Sequence, residues 1–238
     1  MTNKKVNKPK PVSTSNQGTI AFGIIAILVL AFGLFSYFGK STQPAATQPA
    51  ANEPAEQQQQ AAAAQPATSG KQYDAAPEMT IDPNKQYFAT FVMEKGGMFQ
   101  VELYPQKAPI TVNSFVFLAR DGYFDGVTFH RVLEGFMAQG GDPTGTGAGG
   151  PGYEFVNEDS DLTFDKAGVI AMANAGRDTN GSQFFITFGP TPELNGGYTI
   201  FGQVTEGMEI VNAITRRDPN MNPDFNGDVI KTITITEQ

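Results

Sequence analysis

The side chains best suited to binding or catalysis lie close together in residues 129–142, which read FHRVLEGFMAQGGD. This stretch places one arginine, Arg131, among aromatic and apolar residues. Arginine stays charged, so it cannot shuttle protons, but its guanidinium donates several hydrogen bonds. In a strand of period two, Phe129 and Arg131 would share a face. The spacing alone leaves open whether Arg131 forms an ion pair at a rim or works in an exposed groove.

The rest of the sequence excludes most other reaction types. There is no cysteine, so thiolate metal sites and cysteine nucleophiles are impossible, and the single histidine removes multi-histidine metal sites. No Gly-x-Ser-x-Gly elbow frames a serine nucleophile. The glycine-rich residues 140–152 lack the Gly-Lys-Ser/Thr ending of a phosphate loop, and we interpret them as a long mobile loop with positive φ at its glycines. We therefore expect neither a metal nor a cofactor.

The remaining titratable groups near this stretch are interpreted as structural. On a strand, His130 would point away from Arg131 toward the interior, where we expect a hydrogen-bonded histidine. A hydrolase built on His130 has no supporting motif. Glu158, Asp159 and Asp161 lack EF-hand spacing and are expected in a solvated loop.

The elements that must position Arg131 are many short strands and two helices. Residues 87–93 and 98–104 are separated by a glycine turn and form a predicted hairpin. Residues 109–120 place apolar side chains on one helical face, and Gly122 ends that helix. Further strands are predicted at 127–133, 136–139, 169–173, 183–188, 199–204 and 229–236, with a second helix at 208–215. The pattern favours a closed β-barrel capped by helices.

Three sequence blocks together resemble the cyclophilin family of peptidyl-prolyl cis/trans isomerases, especially its bacterial type. The first is residues 129–142 with its continuation to Tyr153. The second is MANAG at 172–176 with TNGSQFFI at 179–186, and the third is FGQV at 201–204 with Gly207 and Met208. The resemblance runs in order through residues 87–235. It implies a mostly β fold, a closed eight-stranded antiparallel barrel capped by two α-helices, with the active groove on its outer face.

The resemblance also implies roles for individual residues. The family's catalytic arginine falls on Arg131. Its proline pocket falls on Phe136, Met137, Phe185 and Leu194, with Tyr198 beside the pocket. Its polar peptide-binding positions fall on Gln139, Asn174 and Gln183, and Ala173 lines the groove through its backbone. Tyr198 stands where the best-known members carry histidine, and Glu193 where they carry tryptophan. Because the indole N–H that holds cyclosporin is missing at Glu193, we expect weak cyclosporin binding.

Isomerisation of an Xaa-Pro bond needs only the chemistry that these residues supply. The two isomers differ by about 0.5–1 kcal/mol, and the barrier of about 18–20 kcal/mol arises because amide resonance must break. Lowering it requires a socket for the proline ring and a hydrogen bond to the prolyl nitrogen that strengthens in the transition state. Arg131 is the expected donor. The alternative is a non-catalytic module or chaperone of the same fold that binds proline-containing segments.

The residues before the predicted domain form three segments. Residues 1–18 carry four lysines and no acid, and we interpret them as a cytoplasmic tail. Residues 19–38, from Thr19 to Phe38, are uncharged and long enough at roughly 30 Å to span a bilayer core as a membrane anchor. A cleavable signal peptide is the alternative interpretation of the same segment, and both interpretations place the domain outside the cytoplasm. Residues 39–78, rich in Ala, Gln and Pro, are expected to be a disordered linker.

The isomerase domain is predicted at residues 79–238. Residues 71–238 carry 11 Lys/Arg and 22 Asp/Glu, a net charge of −11. So acidic a domain is repelled by nucleic acid and by anionic membrane surfaces. The expected partners are therefore proline-containing polypeptides and, through the anchor alone, the membrane; the domain is expected to be a monomer.

Overall fold

The computed structural model describes residues 70–238. The eight strands are β1 (Tyr87–Met93), β2 (Met98–Leu103), β3 (Arg131–Leu133), β4 (Met137–Gly140), β5 (Val169–Met172), β6 (Phe184–Thr187), β7 (Ile200–Glu206) and β8 (Ile230–Glu237). The helices are α1 (Pro109–Arg120) and α2 (Met208–Asn212), with 3-10 turns at Pro192–Leu194 and Pro219–Met221. The predicted eight strands and two capping helices are thus confirmed.

The strands form one sheet in the order β3-β4-β6-β5-β7-β2-β1-β8, and every pairing is antiparallel. Within residues 70–238, no ladder joins the edge strands β3 and β8. The two edges meet instead through the segments that precede them: Gly126 N–H donates to the Ile230 carbonyl at 2.8 Å, and Phe129 N–H to the Asp228 carbonyl at 2.9 Å. The closed ladder implied by the resemblance is therefore replaced by a curled sheet with a short bridge between its edges.

The strand predicted at 127–133 begins only at Arg131. Residues 127–130 follow the backbone of residues 228–230, with an isolated bridge between Thr128 and Val229. Gly227 has φ +105°, and a side chain there would lie 2.2 Å from the Phe129 carbonyl, so the two segments pack backbone to backbone. Because the period of two does not run through this stretch, Phe129 and Arg131 do not share a face. Phe129 is fully buried in the inner core.

The inner core lies on the inner side of the curled sheet and buries eight of the fifteen phenylalanines in residues 70–238. Phe91 stacks on Phe99 at 4.5 Å between ring centroids, and Phe184 of β6 packs edge to face on both Phe91 and Phe115 of α1. The apolar face predicted for α1 is buried as expected, and in β2 the alternate residues Phe99, Val101 and Leu103 are the buried ones. Gly122 follows α1 with φ +69°, and its N–H donates to the Ala119 carbonyl, which ends the helix as predicted.

Two predictions about helices and acids need correction. The second helix ends at Asn212 and not at Thr215, because Ile214 is buried and Thr215 donates to Asp228 beyond the last turn. Glu158 is not simply solvated: its carboxylate accepts from the N–H groups of Ile110 and Thr111 at 2.9 and 2.8 Å and so caps α1, whose first turn offers unpaired donors. Asp159 and Asp161 form exposed ion pairs, as expected of a solvated loop.

The domain's packing begins before the predicted boundary at Met79. The ring of Tyr73 lies 5.1 Å from that of Phe117 and packs against the inner core. The Asn113 side chain of α1 donates to the carbonyls of Pro77 and Glu78. The tail, the anchor at 19–38 and the first part of the linker lie outside the described residues. In the part that is described, no helix has the length and apolarity to cross a membrane.

The glycine-rich loop, residues 140–152, is organised around one buried carboxylate. Asp142 is fully buried and accepts hydrogen bonds from Thr144 N–H and Oγ1, and from the N–H groups of Gly147 and Gly149. Burial opposes ionisation of Asp142, but these hydrogen bonds outweigh it and hold its pKa below the ordinary value. The loop thus has an internal framework of hydrogen bonds, and four of its glycines (Gly141, Gly145, Gly147 and Gly152) have the predicted positive φ. Its mobility stays a prediction.

His130 lies beneath this loop. Its side chain is 2% exposed, and a methyl group on Gly147 would lie 3.7 Å from Nε2. Within residues 70–238 the ring nitrogens make no hydrogen bond of ideal geometry, but the backbone of Thr128 offers the imidazole one. The prediction of a buried structural histidine is confirmed for burial.

Burial lowers the pKa of His130 below its ordinary value of 6.5; Asp142 acts in the opposite direction, and Arg217 and Arg131 add to the lowering. The folded domain therefore binds this proton at lower pH than the unfolded chain. We predict that His130 contributes a loss of stability as the pH falls through 6.5 toward its folded pKa.

The measurement is an NMR titration of the imidazole C–H resonances, which are unambiguous because the chain has one histidine. The expected midpoint lies below 6.5, and His130→Gln should flatten the slope of unfolding free energy against pH in the same window. A midpoint at or above 6.5 in the folded protein would contradict this prediction.

Candidate active site

Arg131 is the first residue of β3 and stands on the outer face of the sheet. Its pairing partner across the ladder is Gln139 of β4, and its Nη1 donates to Gln139 Oε1 at 3.4 Å. The guanidinium carbon lies 6.0 Å from the centroid of the Phe136 ring, within reach of a cation–π contact. None of the ion pairs in residues 70–238 includes Arg131. Of the two readings that spacing left open, the rim ion pair is therefore excluded.

The backbone beside Arg131 is held by a second arginine. Arg217 donates from Nη1 to the His130 carbonyl and from Nε to the Phe225 carbonyl. Its own N–H and carbonyl exchange hydrogen bonds with Val132, at 2.8 and 2.7 Å. Arg217 therefore holds the backbone on both sides of Arg131 by hydrogen bonds to His130 and Val132. Sequence reasoning missed this residue, because the contact joins positions 87 apart and no local pattern marks it.

A second apolar cluster covers the outer face of β4, β5 and β6. The buried members around Phe185 include Met137, Phe164 and Ala171, and the half-buried residues packed on them include Phe136, Ala173, Leu194 and Tyr198. Phe185 stacks on Phe164 at 5.8 Å and meets Tyr198 edge to face at 5.3 Å. The predicted pocket residues thus form one apolar surface that ends beside the guanidinium of Arg131.

The loop that carries Leu194 and Tyr198 is tied to this cluster by hydrogen bonds. Asn195 Oδ1 accepts from Phe164 N–H at 2.9 Å, and Thr191 N–H donates to the Phe164 carbonyl. Asn174 Nδ2 donates to the Gly197 carbonyl at 3.2 Å, so the predicted polar position at Asn174 faces the same loop. Leu194 is the last residue of the 3-10 turn Pro192–Leu194, and its N–H donates to the Thr191 carbonyl at 3.0 Å.

The polar residues form a chain of hydrogen bonds that leads away from Arg131. Gln139 accepts from Arg131 and donates from Nε2 to Gln183 Oε1 at 2.9 Å. Gln183 Nε2 then donates to the carbonyls of Gly147 and Gly149 at 3.0 and 2.9 Å. Both glutamine side chains are oriented by these contacts, which therefore link Arg131 to the glycine-rich loop.

A cavity of about 930 Å³ opens beside this chain. It shares Gln139, Ala173, Asn174 and Gln183 with the predicted site, and its far wall is the glycine-rich loop. Ala173 N–H donates to the Gln183 carbonyl at 2.9 Å, so its carbonyl is the backbone group left for a ligand N–H. The predicted residues are thereby divided into an apolar surface beside Arg131 and a polar cavity wall, and Gln139, which accepts from Arg131, belongs to that wall.

The arrangement suits hydrogen bonding to a ring-bearing amide and not acid–base chemistry. Arg131 cannot give up its proton, and the residues around it are amides, aromatic rings and thioethers. In the part of the chain that the structure describes, no group of three or more His, Asp or Glu side chains could hold a metal. The site can bind an apolar ring on Phe185 and Met137 while the guanidinium of Arg131 donates a hydrogen bond to an atom beside that ring.

Comparison with known proteins agrees with this geometry. The model of the family described as cyclophilin type peptidyl-prolyl cis-trans isomerase/CLD matches residues 88–237. The chain is 48% identical over 146 residues to peptidyl-prolyl cis-trans isomerase B of Bacillus subtilis, covering 61% of this chain and 95% of the relative. It is 48% identical over 178 residues to peptidyl-prolyl cis-trans isomerase A of Mycobacterium tuberculosis, covering 66% of this chain and 97% of the relative.

Solved structures give the same result. The crystal structure of a cyclophilin type peptidyl-prolyl cis-trans isomerase from Cryptosporidium parvum superposes with a TM-score of 0.58 at 34% identity, over 64% of this chain and 99% of that one. A second structure of the same protein, determined in the presence of the dipeptide Ala-Pro, has the same score and identity and covers 63% of this chain. Sequence motifs, sheet order and site geometry agree with these matches, and the chain belongs to the cyclophilin-type peptidyl-prolyl cis-trans isomerase family.

Proposed function

We propose that this chain catalyses cis/trans isomerisation of Xaa-Pro bonds in exported polypeptides and so assists their folding. The observation that carries the proposal is Arg131, a guanidinium with no carboxylate partner in the described domain, standing beside the apolar surface of Phe136, Met137 and Phe185. The names of the relatives support the reaction, and the Bacillus and Mycobacterium relatives support the bacterial type. The Ala-Pro dipeptide present with the Cryptosporidium protein supports a proline-containing ligand.

The reaction follows from where each group lies. The proline ring packs on Phe185 and Met137, flanked by Phe136, Leu194 and Tyr198. As the C–N bond twists, amide resonance is lost and the lone pair localises on the prolyl nitrogen. Arg131 donates a hydrogen bond to that nitrogen, which stabilises the twisted amide more than either planar isomer. Gln139, Asn174 and the Ala173 carbonyl hydrogen-bond the peptide backbone, so little sequence specificity beyond proline is required.

Arg131→Ala tests this role. We expect kcat/KM for a short Xaa-Pro peptide to fall about 10²–10³-fold, because the donor acts in the transition state. Binding of the same peptide should be largely kept, because the apolar surface remains. The assay is proline isomerisation by the purified full chain, together with peptide binding followed by fluorescence or NMR.

Arg120→Ala is the matched control, because Arg120 is an exposed arginine at the end of α1 that pairs with Glu237. It should retain full activity. A folded Arg131→Ala protein with an unchanged rate would contradict the assignment. If the unaltered chain binds proline peptides but gives no rate above the uncatalysed reaction, the chain is a binding module or chaperone on the same fold.

We further propose that residues 19–38 anchor the chain in the cell membrane as a single pass, with the N-terminus cytoplasmic and the catalytic domain outside. The support is the uncharged run of twenty residues preceded by four lysines. We predict that the full chain sediments with membranes and that protease added to spheroplasts digests the domain. Deletion of 19–38 should leave the domain protected in the cytoplasm.

A shortened, soluble protein outside the cell would show that the segment is a cleaved signal peptide instead. Recovery of the unaltered chain from the cytoplasmic fraction would contradict export altogether.

Weak binding of cyclosporin is the remaining proposal for this site. It rests on the exposed Glu193, an acid that offers no indole N–H at the edge of the apolar surface. Glu193→Trp should tighten cyclosporin binding, measured by inhibition of isomerisation, while leaving the peptide rate nearly unchanged. Tight inhibition of the unaltered protein would refute it.

A further inference from the structure

Residues 71–73, here called the strap, bind to two separate parts of the domain. Tyr73 N–H donates to the Pro151 carbonyl at 2.8 Å, and Gln72 Nε2 donates to the Gly150 carbonyl at 2.8 Å. These contacts tie the strap to the glycine-rich loop. The strap precedes residues 88–237, where the family model matches.

The other attachment of the strap is at the end of α1. Tyr73 Oη donates to Asp121 Oδ2 at 2.7 Å, and Lys71 Nζ pairs with the same oxygen at 2.8 Å. These hydrogen bonds hold the pKa of Asp121 below its ordinary value. The Tyr73 ring also packs against Phe117, Tyr123 and Tyr153 at centroid distances of 5.1–6.3 Å. The strap therefore fixes the glycine-rich loop to a rigid helix.

The approach of the strap to the loop is built into the backbone. Gly152 has φ +94°, and a side chain there would lie 2.7 Å from the Tyr73 carbonyl and 3.0 Å from Gln72 Oε1. Only a residue without Cβ lets the two segments lie this close.

The strap also forms part of the cavity beside Arg131. Gln72 lines that cavity together with Gly150, Pro151 and Gly152 of the loop and with Gln139 and Gln183 of the candidate site. Its Nε2 is engaged by backbone carbonyls, whereas its Oε1 accepts no hydrogen bond within residues 70–238. A side-chain amide oxygen on a cavity wall is an acceptor suited to a peptide N–H.

We propose that the strap is a specificity element for extended substrates: Gln72 offers an acceptor to peptide groups flanking the Xaa-Pro bond, and Tyr73 is a positioning residue that holds the glycine-rich wall against them. This rests on the proposed function. The wall is connected to Arg131 through Gln183 and Gln139, and both glutamines line the cavity, so the cavity begins one residue away from Arg131. The end of the linker is then part of the substrate-binding surface.

The test compares the full chain with Gln72→Ala and Tyr73→Ala on two kinds of substrate: a short Xaa-Pro peptide, and peptides extended on either side of it. The unaltered chain should show a lower KM for peptides extended on the side that reaches the cavity. Gln72→Ala should raise that KM roughly threefold to tenfold, the effect of one hydrogen bond, with kcat unchanged. Neither variant should change kcat/KM for the short peptide.

Two further variants separate positioning from general stability. Tyr73→Ala should raise the KM for the extended peptide. Tyr73→Phe keeps the ring and should bring that KM most of the way back to the value of the unaltered chain. Lys85→Ala removes an exposed ion pair with Glu237 outside the cavity and should leave every KM unchanged. Melting temperatures of all variants check that each protein is folded.

The outcomes are distinguishable from those of the proposed function. If the unaltered chain isomerises short peptides but extension gives no gain, or if Gln72→Ala keeps the whole gain, the strap has no role in binding and this inference is overturned. If the unaltered chain isomerises no peptide, the proposed function fails, and direct binding of the extended peptides to the same variants still decides whether the strap contacts them.

Discussion

The structure depends on burying both faces of two strands, β5 and β6. All four residues of β5 and all four of β6 are buried, although neighbouring side chains of a strand point to opposite sides. Phe184 packs into the inner core, whereas the next residue, Phe185, packs into the outer cluster. The outer cluster would be exposed in a sheet with one solvated face. Its burial under the segments around Phe164 and Leu194 leaves an apolar surface whose open edge is the candidate site.

The placement of charged side chains around that surface is the second feature on which the candidate site depends. The domain is strongly acidic, yet its acids pair with Arg120, Arg177 and Arg216 and leave Arg131 among amides and rings. A carboxylate beside Arg131 would accept the hydrogen bonds that the guanidinium can donate. A neutral ligand would then bind more weakly, because it would first have to break a charge-assisted hydrogen bond. Arg217 contributes by fixing the backbone rather than by touching a ligand. The guanidinium is thus available and oriented at the same time.

Local pattern predicted those parts of the fold whose energetics are local. Aromatic and β-branched content located β1, alternation located β2 within a residue, and the apolar face and Gly122 located α1. The site residues came from the family motifs, and the structure brings them together. The remainder depends on contacts between distant segments: residues 127–130 lose their alternation because 228–230 lies on them, and Asp142 is buried only because the loop folds back on it. Tyr73 follows a low-complexity stretch, so nothing local marked it as part of the domain.

The pairing of β1 with β8 has a consequence for how the chain acquires its structure. Tyr87 of β1 pairs with Glu237 of β8. One edge of the first strand can therefore pair with β2 early, whereas its other edge stays unpaired until the last strand is present. A ribosome-bound chain that lacks residues 230–237 exposes the backbone donors and acceptors of β1 and an incomplete core. Sheet completion is therefore a late, nonlocal event, which slows folding relative to a domain built from sequential hairpins. Until that event, one edge of β1 is unpaired and is open to pairing with another chain.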